Sequence, residues 1–109
     1  MREIKRGVRY DGIILDPPSF GRGSKGEVFK IERDIHELLH LCRKLLSDHP
    51  LFLIFTTHTP GMTPIVMGHL LRQNMQGFRG DVETGEMILP AETGIAIPSG
   101  SYARWFSYA

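Results

Sequence analysis

A chain of 109 residues, 41% of them apolar, closes one small core and leaves no room for a second domain. The 13 Lys and Arg stand against 12 Asp and Glu, so the net charge of +1 excludes a protein that coats a polyanion with its whole surface and confines any nucleic-acid contact to a local patch. Cys42 is alone and forbids an internal disulfide, no apolar run reaches the roughly 18 residues of a membrane span, and the charged start has no apolar segment behind it; cytoplasm without a membrane partner is the expectation.

The first element, Val8–Leu15, ends in the apolar run Ile13-Ile14-Leu15 and predicts a strand buried on both faces of a parallel sheet. Pro17 and Pro18 end it. After the glycine-rich stretch 21–27, Ile31, Ile35, Leu38, Leu39, Cys42, Leu45 and Leu46 recur at three- and four-residue spacing, which predicts an amphipathic helix over 29–47. Asp48-His49-Pro50 stops it, and Leu51–Thr57 reads as a second strand, completing a βαβ unit. A second helix follows, with Thr63 able to cap, Pro64 suited to the first helical position and Gly77 suited to the position just past the end. Short β-prone pieces from Asp81 onward, separated by Gly, Pro and Ser, predict an antiparallel pair at the C-terminus. The fold expected over residues 1–109 is one α/β domain of order β-α-β-α-β-β, a parallel sheet that turns antiparallel at its end.

Ligands of open α/β sheets sit beyond the carboxyl ends of the parallel strands, where loops diverge, and Asp16 falls at such an end. Pro17 fixes its own φ and biases Asp16 toward an extended backbone, Pro18 does the same to Pro17, and neither ring nitrogen can donate. The result is a stiff rim of acceptors suited to an exocyclic amine, with Phe20 offering a face for a flat base.

Asp16-Pro17-Pro18-Ser19-Phe20 resembles the acid-Pro-Pro-aromatic motif of S-adenosylmethionine-dependent methyltransferases. The likeness runs on through Tyr10–Lys30, Leu38–Ser47, Gly85–Gly94 and Ile97–Trp105, in the order found in the C-terminal half of the bacterial ribosomal-RNA type. The resemblance implies a partial Rossmann-like sheet in which the first strand here is the fourth of seven. It implies that Asp16, Pro17, Pro18 and Phe20 carry catalysis, that Asp16 and Pro17 touch the donor S-adenosylmethionine, and that Ser19, Arg22 and Lys25 face an RNA substrate. The family's glycine-rich donor loop after its first strand and its acidic residue after the second strand would precede Met1, so the chain is expected to be a truncated domain. Its first strand then has an unpaired side, which predicts self-association or pairing with the missing N-terminal half. The branch that methylates carbon 5 of cytosine needs a thiolate, often at the end of the next strand. Thr56-Thr57-His58 stands there, and Cys42 lies on the apolar helix face, so direct transfer to nitrogen or oxygen is the compatible chemistry. A non-catalytic RNA-binding or assembly module derived from the same fold is the alternative.

Other patterns carry less. His36-Glu37-Leu38-Leu39-His40 fits the H-E-x-x-H zinc motif, but both imidazoles fall opposite the apolar face and are expected in solvent without a third ligand. Gly21–Gly26 fits G-x-G-x-x-G, yet five residues separate it from the strand, so a substrate-facing or plain surface loop is expected rather than a phosphate cradle. His58 ends the second strand and is either a base in the same crevice or an ordinary loop residue. Arg2, Lys5, Arg6, Arg9, Arg22, Lys25, Lys30 and Arg33 form a basic first third open to phosphate, and Trp105 is expected to pack inward from an edge strand.

Overall fold

The computed structural model describes residues 7–18, 20–22, 28–90 and 96–108, with side chains described throughout these except at 20–22, 29, 88–90 and 96–99. Strand β1 (Gly12–Leu15) is followed by β2 (Phe20–Arg22), β3 (Val28–Lys30), helix α1 (Ile31–Leu45), β4 (Phe52–Thr57), helix α2 (Pro64–Asn74), β5 (Gly80–Pro90) and β6 (Ala96–Ser107). The main sheet has the order β1-β4-β6-β5: β1 pairs parallel with β4, while β6 runs antiparallel to both of its neighbours. The predicted βαβ unit and the antiparallel end are both present.

Three features depart from the sequence reading, the first two in the pairing of strands. Phe29 and Lys30 are not the start of the helix: with Val28 they form β3, paired antiparallel with β2 in the register Phe20↔Lys30, Gly21↔Phe29 and Arg22↔Val28. The two flanks of the glycine-rich stretch are thus zipped into a ribbon, and its residues 23–27 lie outside the described residues. Trp105 packs inward as expected, 3% exposed, but its strand is interior rather than an edge.

The α1 face buries Ile31, Ile35, Leu39, Cys42 and Leu45, the stripe that the three- and four-residue spacing dictates. Asp34 reaches back to accept from the Lys30 N–H at 2.9 Å, satisfying a donor that the first turn leaves open. Arg33, through its side-chain hydrogen bonds, holds the Asp34 carboxyl at about 2, with the Lys30 N–H adding to the effect. A carboxyl depressed in the folded state stabilises above its ordinary value of 3.8 and stops doing so as pH falls through about 2. Acid titration followed by circular dichroism should therefore show α1 losing helicity between these values, and Asp34→Asn should abolish that step.

Helix α2 starts as its sequence requires: Thr63 Oγ1 accepts from the Val66 N–H at 3.3 Å, Pro64 occupies the first turn, and Gly77 takes φ +96° beyond the last turn. Both helices cover the sheet face that carries Leu53, Phe55, Ala103 and Trp105, and Phe55 and Leu53 are fully buried against Ile31, Leu39, Met67 and Leu71. Arg43 ties the two helices together, donating to the Asn74 carbonyl while its guanidinium lies 4.7 Å over the Phe78 ring.

By the strand register, Ile14, Ile54, Arg104 and Phe106 point to the opposite face. No described helix covers that side, and Ile14 is 70% exposed. Burial of β1 on both faces, the sequence expectation, is therefore not what the described residues show: among them β1 is an outer strand, packed on the core through Ile13 and Leu15. Gly12 is needed within it because a Cβ there would lie 2.3 Å from the Phe52 ring, its register partner.

Candidate functional site

The carboxyl ends of β1 and β4, the one parallel pair of the main sheet, lie side by side through the register Leu15↔Phe55. Each strand then continues one residue into a polar group: Asp16 after β1, and Thr56 on β4. Their side chains meet, Thr56 Oγ1 donating to Asp16 Oδ1 at 2.7 Å. Asp16 is exposed and makes no ion pair among the described residues, so its second oxygen faces out with its acceptor capacity unused. Pro17 is buried and Pro18 exposed, so the first ring anchors the turn in the body of the domain while the second stands on its rim. The backbone of Phe20 and Arg22 runs in β2; their side chains, like Ser19 and Lys25, lie outside the described residues.

On the far side of β4, Thr57 is buried and its Oγ1 accepts from the Thr59 N–H at 3.1 Å and bonds the Thr59 hydroxyl at 3.0 Å. These bonds tighten the turn that leads into α2. His58 between them is exposed, at the mouth of a cavity of about 230 Å³ that also reaches Glu86 and Ser101. Sequence reasoning reached Asp16 and His58 but assigned no role to the Thr56 hydroxyl. A hydroxyl next to the end of the second parallel strand is the signal that would have found it.

The remaining candidates separate from this site. His36 and His40 are exposed on α1, as the helical periodicity predicts, and among the described residues no three His, Cys, Asp or Glu side chains gather to hold a metal. Cys42 is buried, and desolvation pushes its thiol up from the ordinary value, which makes it a packing group rather than a nucleophile. Of the basic first third, Arg2, Lys5, Arg6 and Lys25 lie outside the described residues. Arg33 is committed to Asp34 and to the Val28 carbonyl rather than open to phosphate. Among the described residues, no helix is long and apolar enough to cross a membrane.

No family model and no curated protein matches the chain. Solved structures do. The SAM-dependent methyltransferase from Agrobacterium tumefaciens superposes with a TM-score of 0.89 at 33% identity, over 98% of this chain and 36% of that one. SMU.776, assigned as a methyltransferase and solved complexed with SAH, gives 0.68 at 24% identity over 95% of this chain and 28% of its own. A Streptococcus mutans protein assigned as SAM-dependent gives 0.65 at 20% over 95% and 27%. This chain therefore spans about a third of the length of the structures it matches, and its α/β architecture is that of part of a SAM-dependent methyltransferase.

Proposed function

We propose that this chain carries the acceptor side of an S-adenosylmethionine-dependent methyltransferase that modifies a nucleobase of RNA, with ribosomal RNA as the expected target. The observation that carries this reading is Asp16, a carboxylate ending a parallel strand, fixed through one oxygen by Thr56 and open at the other. An open, oriented acceptor at that place suits an N–H group of a base or of the donor. Support for the cofactor comes from the 33% identity to a protein described as SAM-dependent and from the SAH held by SMU.776.

The residues present fit one wall of such a site. Asp16 and Pro17 would hold the donor's edge, the exposed carboxylate as a charged acceptor and the proline as a stiff backbone without a donating nitrogen. Bound there, S-adenosylmethionine supplies an electrophilic methyl group. Asp16 would accept a hydrogen bond from the acceptor amine and orient its nitrogen lone pair for direct attack on that methyl group, S-adenosylhomocysteine leaving and the amine proton passing to solvent, with no covalent intermediate on the protein. The buried Cys42 is consistent with that route.

The donor loop is proposed to come from a segment equivalent to the roughly two thirds of the Agrobacterium enzyme that this chain does not span, docked along the unpaired side of β1. The exposed Ile14 and the half-exposed Tyr10, 70% and 42% accessible, mark that line.

The test uses protein purified from its own cells through a tag placed after Ala109, so that whatever accompanies the chain is retained. Transfer of labelled methyl from S-adenosylmethionine to ribosomal RNA is expected. Absence of both transfer and heat on titration with S-adenosylhomocysteine would overturn the proposal.

A further inference from the structure

The two helices enclose a cleft of about 400 Å³, in which His36, His40 and Arg43 of α1 stand across from Gln73, Asn74 and Gln76 at the end of α2. It lies toward the amino ends of the strands. There α1 finishes against Tyr10, whose N–H donates to the Leu45 carbonyl just ahead of β1. The segment after α2 leads into β5 at Gly80, opposite Ser107, and the Ser107 N–H donates to the Leu51 carbonyl just ahead of β4. By the alternation along β4, the helices cover the sheet face opposite the one that carries Thr56 and its partner Asp16. The cleft is therefore separate from the methyl-transfer rim.

Its charge selects its occupant. His36 and His40 sit one turn apart, the spacing of a zinc pair, yet no carboxylate lines the cleft among the described residues, and the charged group beside them is a guanidinium. A cation finds no counter-charge there and an anion does. Arg43 is half-buried and held in place, since it donates to the Asn74 carbonyl while its guanidinium lies 4.7 Å over the Phe78 ring. Among the described residues it has no acidic partner, so a neutral carbonyl occupies one of its N–H groups and its charge goes uncompensated. A guanidinium already fixed by its neighbours loses little freedom when it grips an oxyanion. The imidazoles and the side-chain amides add further N–H donors, and Glu37, between the histidines in sequence, does not line the cleft.

We infer that this cleft binds a phosphate group, with Arg43 supplying the charge and His36, His40 and Gln73 the surrounding donors. Two sources carry such a group: the backbone of an RNA strand and free inorganic phosphate. The first rests on the RNA-substrate reading above and would fix the strand on the domain without reading its sequence; the anion chemistry of the cleft stands without that reading.

The test measures binding of a labelled short oligouridylate by fluorescence anisotropy and of inorganic phosphate by calorimetry, on the same purified protein washed free of nucleic acid at high salt. Arg43→Gln is expected to weaken the binding seen at least about tenfold. Because Arg43 also joins the helices, the exposed Gln73 provides a test of sign: Gln73→Glu should weaken binding and Gln73→Lys tighten it, by about threefold each, with circular dichroism unchanged. Binding of the oligouridylate alone, falling steeply with salt, supports the site with an RNA backbone as its source. Binding of inorganic phosphate, with or without the oligouridylate, supports it with the free anion as a ligand in its own right. Failure of both probes to bind, or binding indifferent to Arg43→Gln and to the charge at residue 73, would overturn the assignment. Neither Gln73 variant is expected to change the heat of S-adenosylhomocysteine titration, which reports on the methyl-transfer reading by itself.

Discussion

Asp16→Ala is expected to lower kcat/KM for methyl transfer by about a hundredfold, while the melting temperature stays within a few degrees of the unaltered protein. The size follows from the chemistry: a hydrogen bond to a charged group contributes about 1.5–3 kcal/mol, which is one to two decades in rate or affinity. The small change in stability follows from exposure, since Asp16 is on the surface and its one described partner, the Thr56 hydroxyl, can turn to water. Asp16→Asn keeps an acceptor oxygen for Thr56 and for an amine but loses the charge, so a smaller drop is expected. Thr56→Val keeps the shape of β4 and frees the carboxylate to rotate. As a positioning change it should weaken KM more than kcat and leave residual activity well above that of Asp16→Ala. Steady-state kinetics on the three variants, read beside thermal melts, orders them. If Asp16→Ala were as active as the unaltered protein, the Asp-Pro-Pro stretch would be only a rigid exit from β1.

Much of this arrangement was legible in the residues because it is local. The stripe of Ile31, Ile35, Leu39, Cys42 and Leu45 follows from helical geometry alone, and Thr63 and Pro64 declare the start of α2 through the backbone groups they satisfy or lack. Asp16 could be placed at a strand end because two prolines fix where the strand stops. What stayed hidden depends on pairing between distant segments. Val28-Phe29-Lys30 continues into a helical pattern and becomes a strand only because residues 20–22 lie alongside it. That β6 inserts between β4 and β5, making Trp105 interior, is a choice of partner that neither strand records by itself. The same insertion sets Thr57, Ser101 and Glu86 in one row, so the cavity could not be read from the chain although each of its residues could.

The exposed apolar line of β1 carries the other large effect. Ile14→Lys is expected to weaken binding of S-adenosylhomocysteine at least tenfold, although residue 14 lies two positions before the proposed rim and points to the uncovered face. Covering an Ile side chain contributes about 1.5–3 kcal/mol, and a lysine at that spot loses this contribution and adds the cost of desolvating an ammonium. If a donor-bearing segment docks there, the whole loss passes into donor affinity, because the segment must be seated before the donor meets Asp16 and Pro17. The body of the domain should be indifferent: Ile13 and Leu15 hold β1 to the buried core, and Ile14 contributes nothing to it. Circular dichroism is therefore expected to match the unaltered protein. Light scattering checks that a covering surface is present, since a segment joined to this chain or carried by another subunit makes the native particle larger than one 109-residue chain. Unchanged donor affinity in Ile14→Lys, or tight donor binding by a particle of that minimum size, would mean that β1 ends the sheet as an ordinary free edge, with nothing docked against it.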